Sequence, residues 1–155
     1  MTRPIPEGYH AVTPYLACDD ASESIEFYKE AFGAKERMRM EAPGGKIGHA
    51  ELEIGDSIVM LADTFPQSTT RPPSELGGTS AGVFLYVEDV DAVVKQATDA
   101  GAKITMEVED QFWGDRFGSI EDPFGHSWSI ATHVEDVPPE EMARRAKDAM
   151  AAMSG

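Results

Sequence analysis

The stretch Trp113–His133, WGDRFGSIEDPFGHSWSIATH, decides the fold of this chain. It predicts two strands joined by a tight turn, because the segment Asp122–Gly125 places proline where a turn needs a fixed φ and glycine where a positive φ is common. On the returning strand, large apolar residues alternate with small ones, so the two kinds point to opposite sides. We therefore expect Trp128 to face a core, and Ser127 and Ser129 to face an open surface.

A second hairpin is predicted over Lys46–Ala62. Two alternating strands flank Gly55-Asp56, a two-residue connection with glycine first, which is typical of a tight β-hairpin turn. This turn pairs residues that share one face of the sheet: Ile54 with Ser57, Glu51 with Met60, and His49 with Ala62.

The remaining elements repeat one order twice. Each half is predicted to run strand, helix, strand, strand, strand, and such internal repetition takes precedence over any single motif. Aspartate residues precede both helices and suit their N-terminal caps, and Gly33 suits the end of the first. The further predicted elements are strands at Ala11–Cys18, Lys35–Glu41, Gly82–Val87 and about Lys103–Val108, and helices at about Ala21–Phe32 and from Asp89 or Asp91 to about Ala100.

Composition limits the partners. The chain has 155 residues, with 28 acidic and 13 basic side chains and a formal charge of −15, so nucleic acid and an anionic membrane surface are not expected partners. The single cysteine, Cys18, fits a reducing compartment. No apolar run approaches membrane-spanning or signal-peptide character. We expect a cytoplasmic protein.

The doubled plan resembles the vicinal oxygen chelate superfamily, which includes glyoxalase I, extradiol dioxygenases and the bleomycin resistance proteins. The phrases SIEFYKEAFGAKE, HAELEIGDSIVMLAD and DPFGHSWSI carry the resemblance, and together with PPEEMARR they are similar to the PhnB-like branch. The resemblance implies an α+β fold in which two βαβββ modules form a cupped mixed sheet, followed by a C-terminal helix. Over the single domain 1–155, the expected bounds are module 1 at about 9–63, a linker at about 64–80, module 2 at about 81–133, and the helix at about 138–153.

The resemblance also implies where a metal would sit. Superfamily enzymes hold it on the first and last strands of the two modules, and those positions fall here at Thr13, Met60, Gly82 and Ser129. These residues are not the imidazole and carboxylate ligands that divalent ions take. We therefore expect no metal and no other cofactor.

The open face of the sheet supplies the candidate site. His49 and Glu51 lie two residues apart on one strand face and could share a proton or bind an ion, although solvated polar residues would give the same pattern. The turn pairing predicts that Arg116 lies beside Ala131 on the open face, where it could hold an anionic ligand group or form a surface ion pair with Asp115 or Glu121. The aromatic side chains of Tyr15, Phe84 and Tyr86 could line a site for a flat or hydrophobic ligand, or they could pack in the core. The candidate cup residues are Thr13, Tyr15, His49, Glu51, Met60, Phe84, Tyr86, Trp113, Arg116, Ser127 and Ser129.

Three functions fit this sequence. The first is a homodimeric, metal-independent protein that binds a small aromatic or hydrophobic compound. The second is an enzyme, such as a lyase or isomerase, that uses His49 and Glu51 as acid and base or as a displaced metal site. The third is a structural module whose cup is filled by its own side chains. The absent metal ligands favour the first.

Overall fold

The computed structural model describes residues 2–154. Within these residues, eight strands and four helices follow one another, and a 3-10 turn at Pro43–Gly45 precedes β3. The elements are β1 (Tyr15–Cys18), α1 (Ala21–Phe32), β2 (Lys35–Glu41), β3 (Ile47–Ile54), β4 (Ser57–Asp63), α2 (Pro73–Leu76), β5 (Gly82–Tyr86), α3 (Val90–Asp99), β6 (Lys103–Asp110), β7 (Asp115–Glu121), β8 (Ser127–His133) and α4 (Pro139–Met153).

The strands form two four-stranded mixed sheets of the same design. The first has the order β1-β4-β3-β2 and the second the order β5-β8-β7-β6. The first strand of each half pairs parallel to the last, and the other neighbours are antiparallel. The predicted α+β fold with two βαβββ modules and a C-terminal helix is confirmed.

Local sequence signals explain the helix ends and the turns. The side chain of Asp20 accepts a hydrogen bond from the backbone N–H of Glu23 and caps α1, and Gly33 ends that helix at φ +67°. Asp89 caps α3 in the same way. Gly125 has φ +94° in the turn between β7 and β8, as the Asp122–Gly125 pattern predicts.

A shared helical layer joins the two halves. Each of the helices α1 and α3 packs on the sheet of its own half, and the two helices pack against each other. Trp128 of β8 is 1% exposed, and its ring lies 5.2 Å from that of Tyr28 and 4.7 Å from that of Phe32, both on α1. The two modules of one chain therefore share a single core.

The single cysteine lies in this core. Cys18 is 1% exposed, and burial raises the pKa of its thiol to about 12. The thiolate is the reactive form of cysteine, so Cys18 acts as a small apolar side chain at neutral pH.

Two predicted boundaries differ from the structure. The first strand begins at Tyr15 and not at Ala11, because Pro14 has no N–H to donate to a neighbouring strand and Val12 is exposed. The connection after β4 contains the short helix α2, and its Pro73 packs against the turn at Gly125. Within residues 2–154, no helix combines the length and apolar character that a membrane crossing needs.

Gly114 permits a close approach between two loops. Its φ is +101°, and a Cβ there would lie 2.2 Å from the carbonyl oxygen of Glu135. We expect Gly114→Ala to lower the free energy of unfolding by about 2 kcal/mol more than Gly45→Ala does. The positive φ strains both variants, but only the Cβ added at position 114 also collides with backbone atoms. Gly45 has φ +76°, and a Cβ there would have no atom within 4 Å. Urea unfolding of the two variants measures the difference, and equal losses would contradict this packing.

Candidate functional site

Each sheet has one face on the helices and one open face. The open faces lie side by side, because β1 and β5 line one common cavity, and β5 lines a second cavity together with Val12 and Pro14, which come just before β1. The first cavity has a volume of about 580 Å³ and is also lined by residues 69–81 of the connection between the two halves. The two open faces therefore form one shallow cup opposite the helical layer.

The open face of the first sheet carries a chain of hydrogen bonds. The hydroxyl of Tyr15 lies 2.7 Å from Nδ1 of His49, and Nε2 of His49 lies 2.9 Å from Oε2 of Glu51. The hydroxyl of Tyr9, in the N-terminal arm, donates to Oε1 of Glu51, and Arg37 lies 5.3 Å from the Tyr9 ring. The structure thus brings together the predicted residues Tyr15, His49 and Glu51.

These contacts set the charges along the chain of hydrogen bonds. The hydrogen bonds from Tyr9 and then from His49 hold the pKa of Glu51 below its ordinary value, so Glu51 is a carboxylate at neutral pH. Burial, followed by the charge of Glu51, raises the pKa of Tyr15. Tyr15 therefore keeps its proton while it remains 53% exposed.

The open face of the second sheet is aromatic. The ring of Phe84 lies 5.0 Å from that of Tyr86 and 5.7 Å from that of Phe117, and the ring of Trp113 lies 5.7 Å from that of Phe117. Phe84 is 48% and Tyr86 is 59% exposed. We call these four residues, Phe84, Tyr86, Trp113 and Phe117, the aromatic wall.

A buried carboxylate anchors one end of the aromatic wall. Asp115 is 1% exposed and accepts hydrogen bonds from the hydroxyl of Tyr86 at 2.8 Å and from Nε1 of Trp113 at 2.9 Å, while Nδ1 of His133 lies 2.8 Å away. Burial opposes the ionisation of Asp115, but the donors His133, Tyr86 and Trp113 outweigh it and lower its pKa. The hydrogen bonds of His133 with Asp115 and then with Asp136 raise the pKa of the imidazole. The carboxylate thereby fixes the polar edges of two wall residues.

The other predicted cup residues lie on the two open faces or beside them. Ser127 pairs with Gly82, and Ser129 lies between Phe84 and Ser119 on the open side. Met60 lies between Tyr15 and Glu51. Thr13 precedes β1, and its hydroxyl donates to the carbonyl of His10, so it is not part of the strand face as predicted.

Arg116 lies on the opposite side from the one predicted. It pairs with Thr132 and not with Ala131, and this one-residue difference changes the face on which a strand residue lies. Its guanidinium binds Asp91 of α3 at 2.8 Å and Asp110 at 3.2 Å, rather than Asp115 or Glu121. Arg116 therefore belongs to the helix side of the sheet and does not face the cup.

The sequence reasoning missed several residues of the site. Phe117 could have been found from alternation, since it lies two residues before Ser119, which pairs with Ser129. The pattern predicts that His133 lies past the last strand and is exposed; it is exposed, but it is the last residue of β8 and contacts Asp115. Tyr9 gave no signal, because it lies in an arm without regular structure.

Comparison with known proteins agrees with this architecture. A family model described as the Glyoxalase/Bleomycin resistance protein/Dioxygenase superfamily matches residues 9–130. The chain belongs to this superfamily. The resemblance drawn from the sequence is thereby confirmed.

Relatives within the superfamily share most of their length with this member. The uncharacterized protein Mb0911c of Mycobacterium bovis is 44% identical over 135 residues, which cover 85% of this chain and 89% of that protein. The crystal structure of TioX from Micromonospora sp. ML1 is 30% identical, with a TM-score of 0.64, and the match covers 81% of this chain and 99% of TioX. A Bacillus cereus protein titled a putative 3-demethylubiquinone-9 3-methyltransferase, PhnB protein, has 17% identity and a TM-score of 0.63, and the match covers 79% of this chain and 99% of that one. This last similarity concerns the fold alone.

The donor set of this superfamily member does not fit the metal of the superfamily enzymes. The four corresponding positions offer the hydroxyls of Thr13 and Ser129, the thioether of Met60, and no side chain at Gly82. Imidazole and carboxylate groups are the usual ligands for such ions. In the part of the chain that the structure describes, no group of three or more His, Cys, Asp or Glu residues is placed to hold a metal ion.

Proposed function

We propose that this protein is a metal-independent binding protein for a small aromatic or hydrophobic compound. The observation that carries the proposal is the aromatic wall, whose rings lie on an open sheet face with Phe84 and Tyr86 about half exposed. Large apolar side chains that cluster on a concave surface and remain exposed usually mark a binding site for a ligand or a partner.

The geometry of the wall suits a flat ligand. Neighbouring rings are tilted by 35° to 42° around Phe84 and by 70° between Trp113 and Phe117, so an aromatic ligand can meet some rings face to face and others edge to face. Each favourable ring pair contributes about 0.5–1.5 kcal/mol beyond burial of its area. Two or three such contacts contribute about 1–4.5 kcal/mol in addition to the burial of the ligand. The hydrogen bonds of Tyr86 and Trp113 to Asp115 keep their rings oriented before a ligand binds.

We further propose that the protein works as a homodimer in the cytoplasm. Apolar side chains remain exposed on both open faces, among them Met40 and Met106, and a second copy over the cup would cover them. The single buried thiol suits a reducing compartment. Neither nucleic acid nor membrane is a proposed partner.

A thermal-shift screen against antibiotics and small aromatic metabolites, with and without divalent ions, tests the binding proposal. A specific ligand at about 100 times its Kd stabilises the protein by about 2.7 kcal/mol. We expect Phe84→Leu to weaken a hit by about 1 kcal/mol, or roughly fivefold in Kd, because one ring contact is lost.

Phe65→Leu is the matched control, since Phe65 lies outside the wall, on the connection beside Lys46. Equal affinities of Phe84→Leu and the unmodified protein would contradict the wall as the binding surface. If only divalent ions raise the melting temperature, or elemental analysis finds stoichiometric zinc or nickel, the proposal of metal independence is wrong.

An acid/base enzyme is the second candidate, and the 2.9 Å contact between His49 and Glu51 favours it. A carboxylate that orients an imidazole is a recurring arrangement at catalytic sites. The displaced-metal form has less support, because the Glu51 oxygens and both His49 nitrogens already have side-chain partners and catalytic metal sites usually need three protein ligands. This candidate is supported if the protein turns over a compound found in the screen, if a metal chelator does not stop the turnover, and if His49→Gln abolishes it. Turnover that chelators abolish would count against it.

A further inference from the structure

Tyr15 combines an exposed hydroxyl, a hydrogen-bonded base and an adjacent cavity. Its side chain is 53% exposed, and its hydroxyl lies 2.7 Å from Nδ1 of His49. Tyr15 also lines the cavity of about 580 Å³ beneath the connection. His49 and Glu51 do not line this cavity, so Tyr15 is the member of the hydrogen-bonded chain that a small molecule bound there would contact.

The direction of the hydrogen bonds follows from the charge of Glu51. Because Glu51 is a carboxylate, its Oε2 accepts a hydrogen bond from the N–H at Nε2 of His49, at 2.9 Å. Nδ1 of a neutral His49 then has a free lone pair and accepts from Tyr15. The oxygen of Tyr15 donates its only proton to His49 and keeps the capacity to accept a hydrogen bond from a ligand.

We propose that Tyr15, His49 and Glu51 form a proton-relay site that deprotonates a weakly acidic hydroxyl, of the phenol or enol type, on a molecule bound in this cavity. The inference rests on the second candidate function and identifies the residue that meets the ligand. Tyr15 is the catalytic residue, His49 takes up the proton, and Glu51 is the positioning residue that holds the imidazole and stabilises its charged form.

The step balances without any further reactant. The ligand O–H bond breaks as its proton moves to the oxygen of Tyr15, and the original phenol proton moves to Nδ1 of His49. The products are a ligand anion and an imidazolium that contacts the carboxylate of Glu51. Tyr15 is neutral before and after the step, in agreement with the raised pKa of its phenol.

The cavity is suited to the anion that this step produces. No carboxylate is among its lining residues, although the chain as a whole has a formal charge of −15. The guanidinium of Arg71 lines the cavity and is held by the backbone carbonyls of Ser68 at 2.9 Å and Thr70 at 3.0 Å. The Nε atom of Arg71 also lies 3.7 Å from Oε2 of Glu75, which does not line the cavity. A positive charge that lines the cavity favours an anionic form of the ligand.

Acetylation by N-acetylimidazole tests the relay without any ligand. Tyr86 is the internal control, because its exposure of 59% is close to the 53% of Tyr15 but its hydroxyl donates to the carboxylate of Asp115, which is a weaker base than imidazole. A positioned base accelerates such a transfer by about 10²-fold or more, so we expect Tyr15 to react roughly tenfold or more faster than Tyr86. Peptide mass spectrometry of the full chain follows both sites.

Variants distinguish a Tyr15 reactivity that depends on the relay from one that depends on exposure alone. His49→Gln should reduce the Tyr15 rate to about that of Tyr86, and Glu51→Gln should reduce it in part, while the Tyr86 rate stays unchanged and reports an intact fold. Glu53→Gln, on the same strand and exposed, is the matched control and should leave both rates unchanged. Equal rates at Tyr15 and Tyr86, or a Tyr15 rate that does not respond to His49→Gln, would overturn the inference.

4-Nitrophenol tests the ligand class, because its ionised form absorbs at a longer wavelength than the neutral form. We expect the bound probe to ionise at a lower pH than the free probe, and this shift to disappear in Tyr15→Phe and His49→Gln but persist in Glu53→Gln. A bound probe that ionises no more readily than the free one, or the absence of binding at millimolar probe, would overturn the assignment. The thermal-shift screen tests ligand binding at the aromatic wall, which does not include Tyr15. A negative result in that screen is therefore distinguishable from a negative result for the proton relay.

Discussion

Asp122→Ala is expected to lower the free energy of unfolding by about 4 kcal/mol, because the carboxylate joins the two modules inside their shared core. Asp122 is 3% exposed. Oδ2 accepts hydrogen bonds from the hydroxyl of Tyr28 on α1 and from Nε1 of Trp128 on β8, and Oδ1 accepts from the backbone N–H groups of Phe124 and His126. The substitution leaves several buried donors without a partner.

Urea unfolding measures this loss, with Asp56→Ala as the control. Asp56 lies in the exposed turn between β3 and β4 and bonds only Ser57, and substitutions at such exposed positions usually change stability by less than about 0.5 kcal/mol. A loss below about 1 kcal/mol for Asp122→Ala would show that the donors find water or other partners, and that the carboxylate does not hold the modules together.

Asp115→Ala is expected to destabilise the protein by about 3 kcal/mol and to release one end of the aromatic wall. The buried carboxylate has three side-chain partners, Tyr86, Trp113 and His133. A buried group that is left without its partner costs about 1–3 kcal/mol. Because Trp128 stays in the core, a change in the fluorescence of the variant reports mainly on Trp113. An unchanged emission spectrum would contradict the anchoring of the wall.

The same carboxylate predicts a stability difference that depends on pH. The lowered pKa of Asp115 means that its contribution is present above the unfolded pKa, about 3.9, and is lost as the pH falls through the folded pKa. The raised pKa of His133 means that its contribution is complete below the unfolded pKa, about 6.5, and is lost as the pH rises through the folded pKa. The gap in stability between the unmodified protein and Asp115→Asn should therefore be widest between about pH 4 and 6.5. Urea unfolding across a pH series measures it, and a gap that does not vary with pH would contradict the pairing.

Alternation and turn chemistry were enough to predict the repeated architecture. The pairs Ile54–Ser57 and Glu51–Met60 follow directly from the Gly55-Asp56 turn, and the structure has both. The burial of Trp128 and Ile130 behind Ser127 and Ser129 follows from the period of two. These features depend on residues close in sequence, so a single sequence contains the information that they need.

The contacts within the candidate site could not be predicted from local sequence patterns. The contact of Tyr15 with His49 depends on the parallel pairing of β1 with β4, which brings together residues 34 positions apart, and no turn sets that register. Arg116 was misplaced because the turn Asp122–Gly125 gives a pairing that differs by one residue from the predicted one. A hairpin turn must be assigned to the residue before the faces of its strands can be.

The burial of Cys18 gives this protein a native reporter of core opening. A maleimide reacts with thiolate, which burial suppresses in the folded state, so the rate of labelling at Cys18 follows the transient exposure of β1. Since the chain has no other cysteine, a second label at an introduced site, such as Glu53→Cys, could be attached selectively under native conditions. A fluorophore placed in this way would report on the surroundings of that exposed position without interference from the native thiol.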